Sequence, residues 1–301
     1  MLKGFLARSL PCLALILNAF VWGSAWWPLR ELQLDGLHAL WASSVTYGVG
    51  VIWIVLIRPT VVLEFLHNKG LWVLALAAGC TMVGFNWGVT IADIIRVVLL
   101  FYLMPIWAVF LARFVLNERI TGRALGRVVM ACVGAVLVLS PQGTLGFPLP
   151  TNFGECLGLF GGAAFALNNI MLRKQANVSS LARLFGMFVG GVLVPTCLAA
   201  VLVWGQWGDA ASSMLIQWPS VPSVYGLGVL ALFSVCVLCA NYALQFGASR
   251  LPANIAAVVM LSEVIFATIG AIVFNQEQLT LQVALGGGLI VLAAALSALS
   301  R

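Results

Sequence analysis

Apolar residues occur in long runs along the whole chain, and short stretches that hold most of the charged residues separate these runs. A helix of about 20 mainly apolar residues crosses the roughly 30 Å of hydrocarbon in a bilayer. Strands of a membrane barrel would instead alternate in polarity over about 10 residues. The pattern therefore predicts an all-α integral membrane protein. The ten predicted transmembrane helices lie near residues 9–29, 37–57, 71–92, 95–115, 123–140, 153–174, 181–203, 223–247, 252–274 and 280–299.

The composition agrees with this pattern, because 62% of the residues are apolar, 8% are charged and the mean hydropathy is +1.09. A water-soluble fold could not bury that much apolar surface. Lys3 and Arg8 precede the first apolar run, as in a signal peptide, but this run extends to Trp26 and Trp27. We therefore expect the first span to be retained.

The chain also contains an internal repeat. Residues 92–118 have a counterpart in residues 251–277, and the segment Trp22–Arg30 corresponds to Phe165–Arg173. In a hydrophobic chain, such a duplication is typical of transporters that consist of two membrane-embedded halves.

The repeat predicts two five-helix halves, residues 1–140 and 153–301. Because five is an odd number, the second half must cross the membrane in the opposite orientation, and the fold is two inverted five-helix repeats. Transporters of this kind hold their solute near the bilayer midplane and work by alternating access.

The basic residues indicate the orientation, because cytoplasmic loops carry an excess of Lys and Arg. With both termini in the cytoplasm, 13 of the 15 basic residues fall on the cytoplasmic side, and Arg30 and Arg96 are the two exceptions. The net charge of +6 thus reflects membrane topology, and we expect no nucleic-acid partner.

Glu263 is the acidic residue predicted near the middle of a span. A carboxylate at the bilayer centre costs roughly 2.5–3.5 kcal/mol on insertion scales, so it should face a cavity or a partner. Glu263 is therefore a candidate contact for the amine of a solute or a candidate proton acceptor. A neutral, hydrogen-bonded packing residue is the alternative, so its role stays open.

Amide side chains within the predicted spans form a second group of candidates. Asn86 and Asn168 or Asn169 come first, and Asn241 follows. Amides can satisfy both the carboxylate and the ammonium of a zwitterion, because they donate and accept hydrogen bonds. The alternative is a hydrogen bond between helices, worth about 0.6 kcal/mol on average in membranes.

Aromatic side chains deep in the spans complete the candidate site. Trp22, Trp87 and Tyr102 are predicted there, and rings of this kind build the apolar wall of a ligand pocket. Packing between helices or contact with lipid is the alternative.

Motifs for enzyme chemistry are absent from the sequence. It has no Walker-type phosphate loop, no His-Glu-x-x-His zinc motif and no Gly-x-Ser-x-Gly nucleophile elbow. We expect no catalytic site, no metal site and no cofactor. Gly154, Gly158 and Gly162 predict tight helix packing. Gly286 begins a run of three glycines that packs against a neighbouring helix or a second protomer, so a homodimer stays open.

Several short motifs resemble those of the ten-span, EamA-type members of the drug/metabolite transporter superfamily. They are Trp22-Gly23-Ser24 in the first span, Tyr102-Leu-Met-Pro105 with Glu118 around the fourth, and Leu261-Ser-Glu263 with Glu277 around the ninth. The family commonly has Pro after the glutamate of the ninth span, and here Val264 takes that place.

The resemblance implies a secondary transporter of the inner membrane that exports small metabolites, in particular neutral and aromatic amino acids. Efflux of drugs or other metabolites such as nucleosides is the alternative. The expected partners are a small-molecule solute and the lipid bilayer. Proton-coupled and facilitated transport both remain open, as does the identity of the solute.

Overall fold

The structure, a computed structural model, describes residues 2–117, 121–139, 150–205, 216–248, 259–260, 262–275 and 278–299. Every regular element in these residues is a helix, which confirms the all-α class. The helices are α1 (Leu2–Gly23), α2 (Trp26–Leu34), α3 (Ala39–Ile57), α4 (Val61–His67), α5 (Lys69–Met82), a π-helix (Val83–Trp87), α6 (Gly88–Ile91), α7 (Ile94–Phe101), α8 (Met104–Val115), α9 (Gly122–Leu139), α10 (Phe153–Lys174), α11 (Ser180–Gly205), α12 (Val224–Ala248), α13 (Ser262–Asn275) and α14 (Leu281–Leu299).

Seven helical segments of the described chain are long and apolar enough to cross a membrane. They are Leu10–Leu34, Ala39–Ile57, Lys69–Ile91, Ile94–Val115, Phe153–Lys174, Ser180–Gly205 and Val224–Leu244. Shorter apolar helices follow at Ser262–Phe274 and Leu281–Ala293. The total of ten spans and the boundaries of the two halves, 1–140 and 153–301, stay predictions.

Two spans are broken where the sequence pattern predicted continuous helices. The first continues past its predicted end at residue 29, because α2 follows α1 after a break at Ser24. Pro28 has no N–H for the carbonyl of Ser24, four residues earlier, and this carbonyl accepts from the N–H of Trp27 instead. The fourth span breaks at Tyr102, because Pro105 likewise has no N–H for the carbonyl of Phe101.

The helices pack in pairs that are reciprocal between the two halves. Helix α1 of the first half packs against α12 and α13 of the second half. Correspondingly, α10 of the second half packs against α5, α7 and α8 of the first half. The contact of α3 with α12 likewise matches that of α5 with α11. Such reciprocity is expected of two repeats related by an approximate two-fold axis, and the contacts α3–α11 and α9–α14 each join a helix to its counterpart in the other half.

Glycines allow the closest of these contacts, as the sequence predicted. A Cβ on Gly158 would lie 2.8 Å from the carbonyl oxygen of Val97, and one on Gly162 would overlap the carbonyl oxygen of Phe101. A Cβ on Gly134 of α9 would lie 2.6 Å from the carbonyl oxygen of Gly286 in α14. Gly286 therefore packs within the chain, which leaves the homodimer without support from this residue.

The connections between spans lie on two opposite faces. The predicted outer face carries residues 35–38, 92–93, 150–152 and 216–223, and the predicted inner face carries residues 58–60, 116–117 and 175–179. On the outer face, the backbone N–H of Ser223 donates to Asp35 Oδ2 at 2.8 Å. On the inner face, Ser179 Oγ donates to Glu64 Oε2 at 2.7 Å. Each of these bonds joins the two halves.

Candidate functional site

Glu263 and Tyr102 form the central contact of the candidate site. The hydroxyl of Tyr102 donates a hydrogen bond to Glu263 Oε2 over 3.1 Å, and the two residues are 4% and 8% exposed. Tyr102 lies at the break between α7 and α8, and Glu263 lies in the first turn of α13. The break that Pro105 imposes therefore leaves Tyr102 at the bend of the fourth span, where it reaches a carboxyl group of the other half.

Gly23 of α1 lies directly against the backbone that carries Glu263. A Cβ at Gly23 would be 2.7 Å from the carbonyl oxygen of Glu263 and 2.8 Å from Cβ of Phe266. Trp22, the neighbour of Gly23, is half-buried and packs against the hydrophobic core. The Trp22-Gly23-Ser24 motif thus marks the place where α1 and α13 touch.

No cation neutralises Glu263 in the described part of the chain. Ion pairs in this part of the chain join Arg58 to Glu64 and Arg96 to Glu155, and neither of them involves Glu263. A buried carboxylate without a counter-charge is unfavourable, so the group takes up either a proton or a cationic group of a ligand.

A second polar cluster surrounds Asn86 and Trp87, which end the π-helix in the third span. Asn86 Nδ2 donates to Ser43 Oγ over 2.8 Å, and the Trp87 ring packs edge-on against His38, with 5.3 Å between the centroids. Trp87 also packs against Phe153 at the start of α10. Within the described residues, no hydrogen bond or ring contact joins Asn86 or Trp87 to the Glu263–Tyr102 pair.

The candidate Asn241 and a further buried amide, Asn18, lie away from Glu263. Asn241 is 9% exposed and donates to the carbonyl of Val237 in its own helix over 2.8 Å. Asn18 donates to the carbonyl of Ala240 over 2.9 Å and so joins α1 to α12. These bonds fit the role of packing, and the structure does not bring either residue to Glu263.

Asn168 and Asn169 point in different directions, because successive residues of an α-helix are about 100° apart. Asn168 is 2% exposed, whereas Asn169 is exposed on the surface of α10. The structure therefore separates Asn169 from the buried candidates. Other residues of the sequence motifs, namely Glu118, Leu261 and Glu277, lie outside the described residues.

The sequence did not reveal the partners of Arg30 and Arg96, the two basic residues that are not on the predicted cytoplasmic side. Arg96 Nε lies 2.8 Å from Oε1 of Glu155, which is 1% exposed. Arg30 donates to the carbonyl oxygens of Val89 and Ala92 over 2.8 and 2.7 Å. Both residues are exceptions to the excess of basic residues on the cytoplasmic side. This exception was the signal in the sequence that could have indicated specific contacts for their side chains.

His38 was also missed, because its position next to a predicted span end gave no reason to select it. The structure buries His38 to 7% exposure between the start of α3 and Trp87. In the described residues, no group of three or more His, Cys, Asp or Glu side chains is placed to hold a metal ion.

Comparison with known protein families shows to which class of membrane protein the chain belongs. The model of the EamA-like transporter family matches residues 9–140 and again residues 152–299. The chain belongs to the EamA-like transporter family. This result confirms the resemblance drawn from the motifs, and it assigns the two-repeat architecture to a transporter of the drug/metabolite type.

A solved structure entitled "Crystal structure of protein" is similar to this EamA-like transporter over 95% of this chain and 94% of the other. The two share 19% sequence identity and superpose with a TM-score of 0.56, so the likeness concerns the fold alone. No functionally curated protein matches the chain.

Proposed function

We propose that this EamA-like transporter exports small zwitterionic metabolites, in particular neutral and aromatic amino acids, across the inner membrane by alternating access. The observation that carries the proposal is the buried pair of Glu263 and Tyr102. The Glu263 carboxylate pairs with the ammonium group of the solute, and Tyr102 orients the carboxylate through its hydrogen bond.

The position of Glu263 suits alternating access. Its helix, α13, packs against α1 and α7, both of which belong to the first half. A movement of one half against the other therefore changes the surroundings of Glu263. A site between inverted halves is opened to each side in turn by such a movement.

Aromatic rings next to Tyr102 favour a solute with an apolar or planar part. The ring centroid of Phe101 lies 5.0 Å from the ring centroid of Phe85, 5.3 Å from that of Phe165 and 6.0 Å from that of Tyr102. This cluster suits the side chain of an aromatic amino acid. It equally suits a planar drug or a nucleobase, so efflux of drugs or nucleosides is the second candidate function.

The orientation belongs to the same proposal, with both termini in the cytoplasm. It is supported by the partners of Arg30 and Arg96, the two basic residues assigned to the outer face. Both side chains bind protein acceptors, so neither contradicts the excess of basic residues on the inner face. Fusion of a reporter that fluoresces only in the cytoplasm to the C-terminus tests this orientation.

The proposal is tested by uptake of labelled amino acids into proteoliposomes, with Glu263→Gln as the variant. Glutamine keeps the size and the acceptor oxygen but cannot carry the charge. We expect saturable transport of phenylalanine or a similar amino acid by the wild type, and at least tenfold slower transport by Glu263→Gln. The control is Glu31→Gln, which changes a carboxyl group at the predicted outer face that accepts from Tyr225.

Two results would contradict the proposal. If no amino acid is transported while a drug or a nucleoside is, the solute class is wrong. If Glu263→Gln and Glu31→Gln behave alike, Glu263 takes no part in binding. A repeat of the assay with an imposed pH gradient separates proton-coupled from facilitated transport.

A further inference from the structure

Several buried polar atoms near the predicted outer face have no hydrogen-bond partner among the described residues, and three of them belong to side chains where the start of α3 meets the π-helix. These three are Nε2 of His38, Oδ1 of Asn86 and Nε1 of Trp87. The residues that carry them are 7%, 1% and 4% exposed. Most buried polar groups in proteins are paired, and each unpaired one is unfavourable. Three such atoms in one cluster indicate a place for a polar partner from outside the chain.

The other polar atoms of the His38 and Asn86 side chains already form hydrogen bonds within the protein. These bonds determine whether each unpaired atom can donate or accept a hydrogen bond. Nδ1 of His38 accepts from the N–H of Leu40 over 3.2 Å. Because Nδ1 accepts, the proton of the neutral ring lies on Nε2. Asn86 Nδ2 donates to Ser43 Oγ, so its unpaired atom is the carbonyl oxygen. The cluster therefore offers two N–H donors and one carbonyl acceptor.

The ring contact of Trp87 with His38 and the hydrogen bond of Asn86 to Ser43 place the three side chains where α3 and the π-helix meet. Asn86 and Trp87 are consecutive residues of the π-helix, and such interruptions of α-helices are frequent at functional sites. His38 packs on the Trp87 ring, and Ser43, the partner of Asn86, follows His38 in α3. The cluster thus lies between the start of the second span and the end of the third.

The cluster is distinct from the Glu263–Tyr102 pair. Trp87 packs against Phe153, which begins α10 at the predicted outer face. Phe85, which precedes Asn86 in the π-helix, packs against Phe101, and Phe101 packs against Tyr102.

We propose that His38, Asn86 and Trp87 form a second binding site, on the exit side, for the zwitterionic head of the solute. The N–H groups of His38 and Trp87 bind its carboxylate, and the carbonyl oxygen of Asn86 accepts from its ammonium group. The inference rests on the proposed export of amino acids and divides the path into two stations. Glu263 recognises the ammonium group at the first, and the outer cluster recognises the carboxylate at the second.

The test measures dissociation constants for three probes on the purified full-length protein in nanodiscs: phenylalanine, 3-phenylpropionate, which has no amine, and 2-phenylethylamine, which has no carboxylate. The variants are Trp87→Phe, which keeps a ring but removes the N–H, and Glu263→Gln. We expect Trp87→Phe to weaken 3-phenylpropionate about tenfold, the effect of one lost hydrogen bond to a charged group, and to leave 2-phenylethylamine unchanged. Glu263→Gln should show the reverse pattern.

Thermal unfolding of Trp87→Phe separates ligand binding from a structural role. Removal of an N–H that has no protein partner should leave the unfolding temperature unchanged or raise it. A large fall in unfolding temperature, or equal binding of 3-phenylpropionate by wild type and Trp87→Phe, would overturn the inference while the proposed function stands. Failure of the wild type to bind or transport any amino acid would overturn both.

Discussion

Replacing Gly23 by alanine is expected to separate α1 from α13 at the central site. The new Cβ would lie 2.7 Å from the carbonyl oxygen of Glu263 and 2.8 Å from Cβ of Phe266. Ordinary contacts lie at about 3.5–4.0 Å, so the two helices must move apart by about 0.8 Å. The atoms in the way are backbone or Cβ atoms, which cannot rotate aside.

Gly48→Ala in α3 is the matched control, because nothing lies within 4 Å of a Cβ at this position. Gly48→Ala gains helix propensity, about 1 kcal/mol in a helix interior, whereas Gly23 is the last residue of α1 and gains less. Overpacking typically costs about 1–3 kcal/mol and applies to Gly23 alone. We therefore expect Gly23→Ala to be about 1–3 kcal/mol less stable than Gly48→Ala.

Stability is measured by thermal unfolding in nanodiscs, and transport by uptake into proteoliposomes. Gly23→Ala should also transport more slowly than Gly48→Ala, because the displaced backbone carries Glu263. If both variants unfold at the same temperature and transport at the same rate, the close contact between α1 and α13 is not part of the working structure.

Three further predictions concern single contacts. Glu155→Gln leaves Arg96 without its buried counter-charge and should lower the stability measured by thermal unfolding by about 3–5 kcal/mol. Arg58→Gln breaks a half-exposed ion pair and should lower stability by about 0–1 kcal/mol. Equal losses of stability in the two variants would contradict the assigned burial. Asn18→Leu removes a bond to α12 and should lower stability by about 0.6 kcal/mol without changing the KM of transport; a changed KM would make Asn18 a solute contact. Asn169→Ala should leave transport kinetics unchanged, and slower transport would return it to the site.

The spans were predictable where a long apolar run is bounded by charged or polar residues and forms one unbroken helix. The sixth span was predicted at 153–174, and α10 has these bounds. The first and fourth spans were predicted as continuous, because their apolar composition continues across Pro28 and Pro105. The apolar pattern predicts burial in lipid, but it does not show which prolines interrupt the backbone hydrogen bonds of a helix. Helix α11 continues across Pro195, whereas the first and fourth spans are broken.

The site was less predictable, because its contacts join residues that are far apart in the sequence. Glu263 and Tyr102 were both selected as candidates, yet nothing in their spacing of 161 positions predicted a hydrogen bond between them. Asn86 was expected at the same site, but its Nδ2 donates to Ser43 of α3. His38 lacked any local signal, since its burial depends on a tryptophan of another span.

The most direct test of the central claim is competition for phenylalanine counterflow by unlabelled phenylalanine and by 3-phenylpropionate, in wild type and in Glu263→Gln. If the Glu263 carboxylate binds the ammonium group of the solute, the wild type prefers phenylalanine by at least tenfold and the variant loses most of this preference. The same preference in both proteins would contradict the account, because the ammonium group would then be recognised elsewhere.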